Sequence, residues 1–276
     1  FDDMKARFEK ELDYIRRNIA GQRTQQAKGK LSRLMDDQHT HPDEQKRMEA
    51  GKLLDLLTPV IKAWPSEYGP KANDLAIQVY GGAGYTREYP VEQCWRDNRL
   101  NPIHEGTNGI QALDFVARKL PMNNGQTIRD LLGKAESTFK KLRSDPEMME
   151  PAWMLAAALK QIETISKELT KRPDAIQLIL LNAPPLLDMV GTVLGAHFLL
   201  DQAMLAKEKL AAILSEADVG TDDKKAYKTF LQGHDEAAFY HNKVQTAIHF
   251  AYRALPTVAA KGTAIRSGER SPFFAI

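Results

Sequence analysis

Apolar residues recur along this chain at steps of three and four, and no clean alternating run marks a strand. Met4, Phe8, Leu12, Ile15 and Ile19 form one such series and predict a first amphipathic helix in a strongly charged segment. Residues 21–42 are polar and predict a loop. A second helix is expected from near Pro42 and Asp43, carrying "MEAGKLLDLLTPVIKAW", with Pro59 and Pro65 bending or breaking it. The helical pattern then resumes through "SEYGPKANDLAIQVY" to Tyr80. "GGAGYTREYP" reads as a turn-rich loop, "VEQCWRDN" as a short helix after Pro90, and "RLNPIHEG" as a loop leading into a helix from about Thr107 to Leu120.

"PMNNG", residues 121–125, is the best boundary in the sequence, because Pro and Asn-Asn-Gly together stop a helix and favour a turn. Beyond it the periodicity predicts helices near 126–144, 147–171, 175–214 and 222–253, then a tail helix near 256–267. The Pro184-Pro185 pair is expected to kink or split the third of these. The closing "PFFAI" presents aromatics that look exposed and suited to docking on a neighbour. No repeat and no low-complexity tract appears. The fold class expected from the pattern is all-α, in two helical units.

The most apolar stretch, "IQLILLNAPPLLDMVGTVLGAHFLL", is long enough to raise the question of a membrane span. Asn182, the proline pair, Asp188 and His197 interrupt it, so a buried core helix is the expectation, and no membrane partner. The 276 residues carry 38 Lys plus Arg against 36 Asp plus Glu, a formal charge of +2 that predicts no strong field for nucleic acid or anionic lipid. The single cysteine, Cys94, excludes an intramolecular disulfide framework and fits a reducing, cytoplasmic compartment. Nine methionines suit helical cores. The chain opens on Phe1 with no signal-peptide pattern, and the expectation is a processed chain or a fragment.

Two stretches carry candidate chemistry. In "QVYGGAGY", Gly81, Gly82 and Gly84 follow an amphipathic helix; such a run lets backbone approach a phosphate, yet no Walker or Rossmann pattern surrounds it. Taken alone, it reads as a helix end and a turn. In "HEGTNGIQ", Thr107 can cap the following helix, whose N-terminal field favours an ionised Glu105, while burial under an apolar substrate would oppose ionisation. A carboxylate between those effects suits a general base, but position alone also fits a surface charge.

Other clusters lead nowhere specific. His39 and His41 in "HTH" read as a solvated loop, so no metal is expected. His234, His241 and His249 read as a partly buried stripe with Phe239, Tyr240 and Phe250. Lys134, Lys140, Lys141 and Arg143 form a solvated basic face, and Trp64, Trp95 and Trp153 are packing anchors. No Ser/His/Asp nucleophile arrangement is discernible.

Taken together, "AIQVYGGAGYTREYPVEQCWRDNRLNPIHEGTNGIQ" closely resembles the C-terminal helical domain of the acyl-CoA dehydrogenases. The likeness is strong from about Leu53 to Leu120 and weaker before that. From Asn123 onward it rests on a helical extension like that of the longer bacterial-type members, the 3-methylmercaptopropionyl-CoA dehydrogenase-like ones. The resemblance implies a four-helix-bundle domain over residues 1–122 and a helical extension over 123–276. It implies that Glu105 removes the α-proton of an acyl-CoA thioester while a β-hydride passes to FAD, in fatty acid metabolism.

By the same resemblance Gly106 lies against the substrate, and Thr107, Asn108 and Gly109 face FAD. Gln78, Val79, Tyr80, Gly81 and Gly82 meet the FAD of a neighbouring subunit in a homodimer or homotetramer. Electron-transfer flavoprotein is the implied acceptor. His104 stands where many short members carry tyrosine, and it implies either filled space or the reading of a polar or thioether-like acyl chain. The family's N-terminal helical and middle β-domains have no counterpart here, so this chain alone is expected neither to retain FAD tightly nor to turn over. A rival reading is an alkylation-response relative of the same fold whose extension binds DNA. Lysines alternating with "DPEMMEP", "SEADVGTDD" and "HDEAAF" argue against that basic face.

Overall fold

A computed structural model describes residues 36–274, apart from Thr170 and Pro173. The helix expected over Met4–Ile19 lies outside the described residues. Helices account for nearly every element, and no strand occurs among the described residues. The chain divides into two compact units, residues 1–58 and 59–276. In the first, most of the loop expected over 21–42 lies outside the described residues; 36–40 are helical and 41–43 are not, and Asp43 accepts from the Gln45 N–H at 2.9 Å and starts the next helix.

That helix, α1, runs Glu44–Tyr80 with Pro59, Pro65 and Pro70 inside it. Of the bend or break expected at Pro59 and Pro65, the break does not occur. An interior proline forfeits one backbone bond and costs about 3 kcal/mol, but Leu56, Leu57, Val60, Ala63 and Ser66 are buried around the first two, and the apolar face holds the axis through them.

The second unit is built on α1's later turns and the helices beyond them. α2 spans Val91–Arg99 and α3 Asn108–Asp114. A single π turn, Phe115–Lys119, continues α3, closed by the Leu120 N–H donating to the Phe115 carbonyl at 2.8 Å. At the expected boundary, Asn123, Asn124 and Gly125 adopt left-handed φ values of 54°, 55° and 71° in succession. α4 (Gln126–Leu142) and α5 (Met149–Leu169) follow, then α6 (Ala175–Leu181) and α7 (Ala183–Glu216). The proline pair splits these last two as expected: Asn182 is the joint and the prolines occupy the first turn of α7, where their missing N–H groups cost nothing.

One expectation fails after that. The helix predicted over 222–253 breaks at His234, giving α8 (Lys224–Gly233) and α9 (Asp235–Arg266), and the separate tail helix does not exist because α9 continues through Pro256. His234 is extended, at φ −131°, and its Nδ1 accepts from the Ala237 N–H at 3.1 Å, so it caps α9 and does not join a stripe. Of the other two histidines, His241 pairs with the Tyr227 hydroxyl at 3.0 Å and His249 is exposed.

α7 and α9 form the broadest pairing, α5 packs on α9, α4 on α5 and α7, and α3 on α7. Leu142, Met148, Leu155, Ile165, Met189, Val193, Leu200, Val244 and Val258 fill the core between them. α7 is long and apolar enough to cross a membrane by length and composition, but 61% of its most apolar window is buried inside the protein. Its all-round hydrophobicity is that of a central core helix. Phe273 and Phe274 are exposed, as expected, at 52% and 77%.

Candidate functional site

α1 positions the loop that carries Glu105. Its Lys62 Nζ donates to the Gly106 carbonyl at 2.5 Å and to Asn108 Oδ1 at 3.2 Å. The buried Ser66 hydroxyl donates to the same Asn108 oxygen at 2.7 Å, and Asn108 Nδ2 donates to Glu67 Oε2 at 3.3 Å. Lys62 and Ser66 are four residues apart, hence on one face of the helix. Two turns further on, Asn98 Nδ2 donates to Asn73 Oδ1 at 2.6 Å, and Asn98 Oδ1 accepts from Asn101 Nδ2 at 2.7 Å. Gly69 makes room for this, since a Cβ there would meet Asn98 Nδ2 at 2.7 Å.

Within the loop, Glu105 has φ +53° and Gly106 φ +84°. A left-handed conformation costs a non-glycine residue roughly 1–2 kcal/mol, and it persists where surrounding contacts over-determine it. Those contacts are the Lys62 bond to the Gly106 carbonyl, the Asn108 N–H donating to the Pro102 carbonyl at 3.1 Å, and the Thr107 hydroxyl accepting from the Ile110 N–H at 3.3 Å. The Glu105 carboxylate itself is turned outward, 83% exposed. His104 Nδ1–H donates to the Leu100 carbonyl at 3.1 Å, which leaves Nε2 facing the carboxylate, 4.0 Å from Oε2.

Electrostatics reflect the same contacts. Partial burial pushes the Lys62 ammonium below the usual lysine range, and the nearby Glu105 charge pulls it back up. Hydrogen bonds from Lys71 and then Asn108 hold the Glu67 carboxyl below the ordinary range, against burial. Beside them Pro70, Lys71, Asp74, Leu75, Trp95, Arg99 and Pro102 line an open groove of about 480 Å³.

The expected site residues fall into two places. His104 to Gly109 lie at the level of Lys62 to Glu67. Gln78 to Gly82 lie at the far end of α1, some 16 residues on, or about 24 Å at 1.5 Å per residue. There Gln78, Val79, Gly81 and Gly82 are exposed, while Tyr80 is half-buried on Tyr89 at 5.5 Å between ring centroids. The three glycines differ: Gly84 is packing, because a Cβ would meet the Ile77 carbonyl at 2.6 Å, and Gly81 is conformational, at φ +62°. Gly82 has neither reason, with nothing among the described residues within 4 Å of a Cβ. Thr107 spends its hydroxyl on the cap and Asn108 turns its amide onto α1, so of the three only Gly109 offers bare backbone. Sequence reasoning missed Lys62, Ser66 and Glu67, whose only signal was their shared helical face. Among the described residues no group of His, Cys, Asp and Glu is placed to hold a metal.

Comparison with known proteins accounts for both halves of the chain. The family described as "Acyl-CoA dehydrogenase, C-terminal domain" matches residues 44–120, and the one described as "Acetyl-CoA dehydrogenase C-terminal like" matches residues 126–273, so the two meet across the Asn-Asn-Gly turn. A butyryl-CoA dehydrogenase of Syntrophomonas wolfei is 28% identical over 86% of this chain and 36% of its own length. The broad-specificity linear acyl-CoA dehydrogenase FadE5 of Mycobacterium tuberculosis is 28% identical over 76% of this chain and 33% of its own. The 3-methylmercaptopropionyl-CoA dehydrogenase of Ruegeria pomeroyi is 30% identical over 65% of this chain and 32% of its own. The chain thus spans about a third of the length of these relatives. With both of its halves matched in order, on either side of a turn that the backbone marks by three left-handed residues, the chain belongs to the acyl-CoA dehydrogenase family.

Proposed function

We propose that this chain is the C-terminal part of an FAD-dependent acyl-CoA dehydrogenase, in which Glu105 removes the α-proton of an acyl-CoA thioester. The observation that carries the reading is the left-handed Glu105, held out of its preferred conformation by α1 and pointed away from the helical core. A glutamate in that conformation is a backbone outlier of the kind that clusters at active sites and ligand clamps. Its exposure means that the desolvation a base requires comes from protein outside these residues, closing over it with the acyl chain.

FAD, when bound, supplies the acceptor for the β-hydride. Gly82, free of any steric or conformational demand from the described residues, suits a backbone approached by a dinucleotide. The exposed Gly109 backbone, at the Thr107-capped start of α3, suits a close approach by a polar or anionic edge. The length of α1 between the two motifs supports two different flavins, one served by Glu105 and one belonging to a neighbouring subunit, hence a homodimer or homotetramer. Electron-transfer flavoprotein as acceptor and a cytoplasmic setting complete the reading. The division at residue 122 between a family-wide domain and an extension is part of it.

The test is Glu105→Gln in the full-length protein, assayed against a panel of straight, branched and thioether acyl-CoAs. Oxidation should fall by at least about 1,000-fold with the flavin content retained, since the amide keeps the shape and loses the basicity. A variant that still oxidises acyl-CoA at the parent rate ends the proposal.

A further inference from the structure

We propose that Lys62 is the positioning residue for the base: its ammonium fastens the Gly106 carbonyl and the Asn108 side chain to α1, and so sets where the Glu105 carboxylate points. This rests on the reading of Glu105 as the base. Lys62 donates to two acceptors that flank Thr107, at 2.5 and 3.2 Å, across 44 and 46 residues of sequence. The peptide carbonyl it holds is that of the residue directly after Glu105, so the Gly106 backbone cannot swing away without breaking that bond. Glu105 is left-handed, a conformation that a non-glycine residue in an unrestrained loop leaves readily, and the following Gly106 is free to take either sign of φ. The second acceptor, Asn108 Oδ1, is shared with the buried Ser66 hydroxyl, which ties down the first residue of α3 as well.

Arginine and lysine are the only side chains that reach from this face of α1 with a permanent positive charge and several donors. The charge matters in a second way. The ammonium lies close enough to Glu105 for the carboxylate to act on it electrostatically. Lys62 is therefore both a clasp on the backbone and a counter-charge to the solvent-facing carboxylate.

The experiment has two arms. In the full-length FAD-loaded enzyme, Lys62→Met should lower kcat by about 10- to 100-fold while KM stays within about threefold, because an aimed group displaced by an ångström loses rate without losing binding. Lys62→Arg, which restores charge and donors, should recover most of the rate; a general loss of folding would not be rescued in this way. In the present chain, amide hydrogen exchange over residues 103–108 should quicken by about tenfold or more in Lys62→Met and return in Lys62→Arg. Ser66→Ala, which removes only the second anchor of Asn108, should give a smaller change of the same kind and serves if Lys62→Met fails to fold. Unchanged exchange, or an unchanged kcat in Lys62→Met when Glu105→Gln is inactive, overturns the role of Lys62 and leaves the base in place. Full activity in Glu105→Gln defeats the base instead, and the exchange arm still decides whether Lys62 holds the loop.

Discussion

Trp64 lies on the bare backbone of Gly191, so close that a Cβ at that glycine would stand 2.3 Å from the indole Cδ1 and 2.5 Å from Cγ. The indole is held there by Tyr68 at 4.9 Å and Phe250 at 6.3 Å between ring centroids, and its N–H donates to the Thr192 hydroxyl at 3.4 Å. The same turn of α1 therefore supplies the anchor that seats it on α7 and the lysine that grips the Glu105 loop. Gly191→Ala should destabilise the protein by about 1–3 kcal/mol, the range for overpacking a filled core. Combined with Trp64→Ala the loss should be less than the sum, since the two closest clashing atoms go with the ring. Thermal unfolding of the two singles and the double decides it, and additive losses would contradict the contact.

The loop between α4 and α5 is tied to α7 by charge. Lys207 donates to both oxygens of Asp145 at 2.7 and 2.8 Å and reaches Glu147 at 3.1 Å. Burial opposes ionisation of Asp145, but the bonds from Lys207 and from the N–H groups of Met148 and Glu147 outweigh it and hold the carboxyl below its ordinary range. Burial likewise opposes the Lys207 charge, and its two carboxylate partners raise it above the usual lysine range. A depressed carboxyl gives stability that is present above the unfolded pKa of about 3.9 and lost as pH falls through the folded one. A raised ammonium gives stability present below about 10.4 and lost as pH rises through its folded value. Lys207→Met should therefore cost on the order of 1 kcal/mol near neutral pH, discounted for partial exposure, and progressively less at both extremes. Denaturant unfolding across pH measures this; a difference that does not change with pH would refute it.

Asn123 and Asn124 hold left-handed φ in a turn where Gly125 does the same. Asn124→Ala should cost about 1 kcal/mol, because Ala lacks the short polar side chain that eases this region. Asn124→Gly should be neutral or slightly stabilising. Equal stability of the two variants would show that the turn does not need this geometry.

His104 directs Nε2 at the Glu105 carboxylate while Nδ1 is committed to Leu100. If it reads a polar or thioether acyl chain, His104→Tyr should shift the ratio of kcat/KM for thioether over straight-chain acyl-CoAs by about tenfold, near 1.4 kcal/mol. An unchanged substrate profile in the full-length enzyme would assign the histidine to filling space.

Local rules written in the sequence were enough for much of this protein. Period-three and period-four spacing placed most of the described helices, Thr107 was legible as a cap, Pro184-Pro185 as a split, and Asn-Asn-Gly as a turn, because each depends on neighbours within one helical turn. The glycine and glutamate motifs identified the family for the same reason: they are short and contiguous.

Tertiary structure decided the rest. Whether Pro59, Pro65 and Pro256 interrupt a helix depends on how much apolar surface the unbroken axis buries, which spacing alone does not state. His234 became a cap and not part of a stripe once α8 and α9 separated. The grip of Lys62 on Gly106 joins residues 44 apart, and nothing in the intervening sequence signals it. Contacts at that separation are set by the packing of whole helices, so the orientation of Glu105 is a property of the fold and its identity a property of the sequence.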